Sequence, residues 1–272
     1  MAVEYISKAW KIYKKNYLSF IGSELILSIV TTSLIILGLV IFLGSVLPGL
    51  DWNLITSIED ENVLMQYFME LFSKPEFLSS LGIGALGFGI FIVLTVLVSL
   101  YINIGQVGMA YESLKKRTRI RTMFKASRKF GFRWIATSLL LFVICLIALI
   151  PILVIGVLTL GLGFIAVFLV IPIIILIGPA MVIDNASPVE SIKKAFNVAK
   201  RNYLNLFALF LIYAVGMFLI SFLGGLLSFI PLVGGLIDLC ASLFIGFAIA
   251  PMMKISFVDY YVKNRKGSRK GI

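Results

Sequence analysis

Long apolar stretches alternate with short charged ones along the whole chain. No Asp, Glu, Lys or Arg falls within 25–50, 77–111, 134–183, 202–237 or 239–253. A helix rises 1.5 Å per residue, so roughly 20 apolar residues cross a hydrocarbon layer of about 30 Å. The stretches 134–183 and 202–253, the second interrupted only by Asp238, are too long for one crossing each and must fold back. Thr159-Leu160-Gly161-Leu162-Gly163 and Pro231-Leu232-Val233-Gly234-Gly235 are the expected reversals, since glycine and proline allow tight changes of direction. Six spans follow, at 20–47, 81–110, 134–157, 164–183, 203–228 and 235–258. Between the first two lies a connection, 48–80, in which Leu64, Phe68, Leu71 and Phe72 recur at helical spacing over Glu61–Phe72. A short amphipathic helix is expected there.

A second pattern is superimposed on the first. Residues 2–20 and 188–206, offset by 186, share Val3/Val189, Glu4/Glu190, Ile6/Ile192, Lys8/Lys194, Ala9/Ala195, Lys14/Lys200, Asn16/Asn202, Tyr17/Tyr203 and Leu18/Leu204. A fainter copy aligns Lys125, Ala126 and Trp134 with Lys194, Ala195 and Tyr203. At 100° per residue Val3, Ile6, Trp10, Tyr13 and Tyr17 share one face, and Glu4, Lys8, Lys11, Lys14 and Lys15 the other. In the later copy Val189, Ile192, Phe196, Ala199 and Tyr203 oppose Lys193, Lys194, Asn197, Lys200 and Arg201. Ser187-Pro188-Val189-Glu190 supplies a start signal: serine as N-cap, proline at the first helical position, glutamate to close a capping box. The expected architecture is all-α: a polytopic membrane protein of six transmembrane helices in three hairpins, preceded by basic amphipathic interfacial helices. It forms a single integral membrane domain over 1–272, with repeat units at about 1–110, 118–183 and 187–260, an outer loop at 48–80 and a basic tail at 261–272.

Composition sharpens this picture. Hydrophobic residues make up 60% of the 272, charged residues only 14%, so lipid rather than water is the expected solvent of most side chains. Lys and Arg number 24 against 13 Asp and Glu, and 23 of the 24 fall before the first span, within 115–133, within 193–201 or from Lys254 onward. Positive loops are retained inside, so both termini are expected to be cytoplasmic and 48–80, with Lys74 as its one cation, external. The chain opens on a charged amphipathic stretch without a small-residue cleavage site, so the first span is expected to persist. Cys145 and Cys240 lie in apolar runs and suggest no disulfide framework. Histidine is absent, which removes the usual general base and imidazole metal ligands.

Ser-Pro-Val-Glu-Ser-Ile-Lys-Lys-Ala-Phe at 187–196, after a span that ends in Gly178-Pro179 and Asp184, resembles a segment of the membrane domain attached to some glycerophosphodiester phosphodiesterases, and related six-span proteins of bacteria and archaea. The resemblance implies a membrane fold built from repeats. It carries over no catalytic residue, because the barrel with the metal-binding carboxylates and histidines has no counterpart here.

Few residues carry candidate chemistry. Glu24 lies one turn inside the first span, where a charge is costly, and Lys254 in the sixth span is its expected partner; a proton- or cation-coupled role is the alternative. Asn103 and Gln106, flanked by Gly105 and Gly108, would either line a polar seam or let a neighbouring helix approach. Asp238 is expected to cap a helix N-terminus, with ion binding as the alternative. Pro172 is expected to kink the fourth span. The glycines at 82, 84, 87 and 89 form no phosphate-binding motif and suggest close helix packing. Lys8, Lys11, Lys14, Lys15, Arg128, Lys129, Lys193, Lys194, Lys200 and Arg201 are expected to meet anionic headgroups, each worth about 1 kcal/mol near a charged surface.

No catalytic constellation, cofactor or metal site can be assembled, and an enzyme is not expected. The expected role is a non-enzymatic lipid-interacting or partner-docking scaffold or assembly factor in the cell membrane. Its expected partners are anionic lipids at the cytoplasmic face and a membrane protein; the basic clusters follow the topology and do not call for nucleic acid. A small-solute or lipid transporter is the alternative, and it would need polar groups and a cavity at mid-membrane.

Overall fold

A computed structural model describes residues 2–58, 60–159, 165–227, 230 and 234–265. Among them every regular element is helical, and six helices are long and apolar enough to cross a membrane, with mean hydropathy of 2.0 or more over 18 residues. The chain therefore has the make-up of a multi-pass membrane protein. The helices are α1 (Ala2–Val46), α2 (Trp52–Ser57), α3 (Glu61–Ser73), α4 (Pro75–Ser113), α5 (Ile120–Leu158), α6 (Ile165–Asp184), α7 (Pro188–Arg201), α8 (Tyr203–Leu227), α9 (Gly234–Phe244) and α10 (Ala250–Arg265). Of the reversals expected at 159–163 and 231–235, residues 160–163 and 231–233 lie outside the described residues.

The chain divides into two compact units, 1–25 with 100–272, and 26–99. In the second unit the later part of α1 packs on the early part of α4 through glycines: a methyl at Gly38 would sit 2.8 Å from Phe91 Cβ, and one at Gly84 3.2 Å from the Phe42 carbonyl. The glycines at 84 and 87 thus serve packing, whereas 82 and 89 face open space. The connection carries two short capped helices. Asp51 accepts from Leu54 N at the start of α2, and Asp60 from Asn62 N at the start of α3. Leu71 of α3 is buried; Phe72 packs edge-on against the buried Phe77 of α4, while Phe72 itself is half exposed.

The first unit is built around α10. Tyr5 of α1, Leu176 and Ala180 of α6, Ala195 and Ala199 of α7, and Leu206 and Tyr213 of α8 form one core with Phe257, Tyr260 and Tyr261 of α10. Preceding α10 is a five-residue π-helical turn, Ile245–Ile249. Pro251 explains it in part. A proline nitrogen cannot donate to the carbonyl four residues back and its ring crowds that carbonyl; the backbone widens, and the freed Phe247 carbonyl accepts from Tyr13 Oη at 2.7 Å. Pro172 lies inside α6 without interrupting it, and Tyr203 Oη donates to the Leu169 carbonyl at 2.6 Å.

Three expectations are corrected. The basic segments at the start of α1 and α5 are not separate helices lying flat; each runs unbroken into its span, in helices of 45 and 39 residues. Only α7 stands alone, ended by Asn202 at φ −146°. The apolar face assigned to α1 is also turned. Tyr5, Ala9, Tyr13, Asn16 and Phe20 are buried, whereas Val3 is 70% exposed and Trp10 and Tyr17 are exposed, so the packed face lies about 90° round the helix from the expected one. Ala9 sits between the buried rings of Tyr5 and Tyr13, and of the expected aromatic face Trp10 and Tyr17 are left outside. Finally, the expected tail is partly structural: Lys263 and Arg265 belong to the last turn of α10, Tyr261 is buried, and residues 266–272 lie outside the described ones.

Candidate functional site

The charged interior of the first unit is held by four carboxylates, each with its own partners. Glu24, 9% exposed, meets Lys254 Nζ at 3.1 Å. Lys254 also donates to Gln106 Oε1, and Gln106 Nε2 to Ser23 Oγ at 3.4 Å, with Gln106 and Ser23 fully buried. Three helices therefore close one polar knot: Glu24 and Ser23 from α1, Gln106 from α4 and Lys254 from α10. The second carboxylate, Asp259, is buried and accepts from Lys8 at 2.5 Å, with Lys263 at 3.6 Å from its other oxygen. Asp184 accepts from Tyr261 Oη and Arg265, both at 2.6 Å. Asn185 beside it takes a left-handed backbone, φ 49°, and accepts from Arg133 at 3.2 Å. Glu112 is bonded by Thr118 and Thr122 and paired with Lys116 at 3.0 Å.

Burying an ion pair gains little over an apolar pair, but leaving one charge alone in such a place is costly. The four groups thus act first as ties that fix which helices meet. Asn103, expected to share a seam with Gln106, is exposed; the two lie about 60° apart round α4, and the edge of the packed face falls between them, so only Gln106 reaches the interior. Gly105 and Gly108 serve close approach: methyls there would fall 2.6 Å from the Met123 carbonyl and 2.3 Å from Ala126 Cβ of α5. Asp238, expected at a helix N-terminus, is the fifth residue of α9 and exposed, and its Oδ1 would lie 3.3 Å from a methyl at Gly224 of α8; residues 231–233, ahead of α9, lie outside the described ones. Cys145 and Cys240 are free and exposed on apolar helices. Among the described residues no three potential metal ligands of the His, Cys, Asp and Glu types gather.

The basic surface is uneven. Of the residues expected at headgroups, Lys8 is engaged by Asp259, and Lys129 lies over the Phe130 ring at 4.9 Å. Lys11, Lys14, Lys15, Arg128, Lys193, Lys200 and Arg201 are exposed, and Lys194 is half-buried. Lys14 lies over Trp10 at 4.7 Å. Exposure follows the 186-residue offset: Val3 and Val189 are 70% and 53% exposed, Trp10 and Phe196 40% and 52%, Leu18 and Leu204 70% and 81%. Burial follows it too, through Tyr5/Ser191, Ala9/Ala195, Tyr13/Ala199, Phe20/Leu206 and Ser23/Leu209.

The residues missed by sequence reasoning are Asp184, Asp259, Tyr213, Ser256 and Tyr261. Tyr213 and Ser256 share a buried hydrogen bond of 2.8 Å. Comparison with protein-family models, curated proteins and solved structures returned no match.

Proposed function

We propose that the protein is a non-enzymatic membrane scaffold that grips anionic lipid headgroups on its basic side and presents that surface to a membrane partner. The observation that carries this is the repeated exposed edge, Val3, Trp10 and Leu18 on α1 and Val189, Phe196 and Leu204 over α7 and α8, each beside exposed lysines. Apolar and aromatic side chains next to cations are what a headgroup boundary accommodates, and water alone does not. On this reading the two matching edges are copies of one internally repeated hairpin unit, with both termini on the cytoplasmic side of the cell membrane. The tied interior suits a scaffold, because it keeps both edges in fixed register on α10.

Purification at low detergent, followed by native mass spectrometry of bound lipid, tests this. Wild-type protein is expected to retain anionic lipid, and Trp10→Asp/Phe196→Asp to lose at least about threefold of it, because the edge can no longer enter the interface. Equal retention by both would remove the reading. A transporter draws its support from the Glu24–Lys254–Gln106 knot, three polar groups in apolar helices, but there each is already satisfied by the others.

A further inference from the structure

The corner between α4 and α5 carries a site of a different kind. Lys116, Arg117, Arg119, Arg121 and Lys125 surround a hollow of about 310 Å³ at the start of α5. One carboxylate, Glu112, also lines it, and that one is taken up by Lys116 and by the hydroxyls of Thr118 and Thr122. The other four cations have no ion-pair partner among the described residues. Elsewhere in this unit the buried acids are each matched by a cation. Here like charges crowd one hollow, and their mutual repulsion is relieved when an anion enters.

The corner is also held in place before any ligand arrives. Thr118 N donates to Asn16 Oδ1 at 2.8 Å, and Ser19 Oγ donates to the Thr118 carbonyl at 2.9 Å, so α1 clamps the turn from both sides. Gly105 and Gly108 seat the first turns of α5 directly on α4. Arginine presents a planar fork that matches two phosphate oxygens, and three of the five cations are arginines. A phosphomonoester carries about −1.5 to −2 charges near neutral pH, whereas a phosphodiester carries one. Five cations against one engaged carboxylate favour the former.

We propose that this corner binds a phosphate group carrying more than one negative charge, presented either as the terminal phosphomonoester of a lipid or as a free diphosphate. The site goes beyond the scaffold reading, which rests on the edges of α1, α7 and α8, and it stands if those edges bind nothing.

The full chain in neutral detergent micelles is titrated with dioctanoyl phosphatidic acid, with inorganic pyrophosphate and with dioctanoyl phosphatidylglycerol, following thermal stabilisation. Phosphatidic acid or pyrophosphate is expected to bind at least about tenfold tighter than phosphatidylglycerol. Preference for the lipid identifies a headgroup as the source, and preference for pyrophosphate a soluble ligand. Arg119→Gln/Arg121→Gln/Lys125→Gln is expected to weaken the preferred probe by about tenfold or more. Lys266→Gln/Arg269→Gln/Lys270→Gln, an equal loss of charge in the C-terminal segment, is expected to weaken it less than about twofold. Glu112→Gln is expected to strengthen it, a change of sign that misfolding does not produce. Equal weakening by the two triple variants, no preference over phosphatidylglycerol, or weakening by Glu112→Gln would each overturn the site.

Discussion

Glu24 shows how far one residue can be read without its neighbours. A carboxylate inside an apolar window needs a cation, and Lys254 is the basic residue of the sixth span, so the pairing is legible from depth alone. Gln106 as the third member is not, because its approach depends on the crossing of α4 with α1 and α10. Lys254→Met strands the Glu24 carboxylate and is expected to cost about 3–5 kcal/mol, whereas Glu24→Met/Lys254→Met should fall within about 1 kcal/mol of wild type or above it. Reversible unfolding in mixed micelles measures both. A double variant as damaged as the single one would mean that the pair is not what the knot depends on. Asp184 and Asp259 stayed hidden for a physical reason: Arg265 lies 81 residues from Asp184, and Lys8 lies 251 from Asp259. Each partner reads as a loop or tail charge until α10 is seen to run on past the apolar window.

At the scale of the element, the same residue in matched positions ends one helix and not the other. Asn202 closes α7, its backbone turned out of the helical region and its carbonyl accepting from Tyr260 Oη at 2.9 Å. Asn16, its counterpart, stays within α1, donating to the Ile12 carbonyl and accepting from Thr118 N. Local sequence is nearly identical, so the partners decide: a tyrosine from α10 in one case, the α4–α5 turn in the other. That is why charge windows locate the spans well but misjudge where the basic segments break. The start of α7, by contrast, is local chemistry. Ser187 and Glu190 close a full capping box, and Ser187→Ala is expected to cost about 1 kcal/mol. Hydrogen exchange should then quicken across 190–199 and leave α8 unchanged; equal loss in both helices would show that α7 is held by packing alone.

For the whole molecule, what remains to be set is which side of the membrane the charge faces. Apolar spans alone leave the direction of threading open, because a six-span chain reads equally well from either face. The bias of lysine and arginine breaks that tie: the starts of α1, α5 and α7 are basic, and the 48–80 connection is acidic. The packing agrees in one respect that charge counting does not contain. Tyr5, Tyr260 and Ala195 lie in one core, so the beginning of α1, the end of α10 and α7 belong to a single body and must share a side. In a Cys145→Ala/Cys240→Ala background, cysteines at Lys11, Arg128 and Asn197 are therefore expected to react with a membrane-impermeant maleimide only after the cells are opened, and a cysteine at Asn62 in intact cells. Labelling of Lys11 and Asn197 on opposite faces would contradict the packing itself; labelling of both from outside, with Asn62 protected, would keep the packing and reverse the threading, and with it place the basic edges and the arginine-lined corner beyond reach of the inner leaflet.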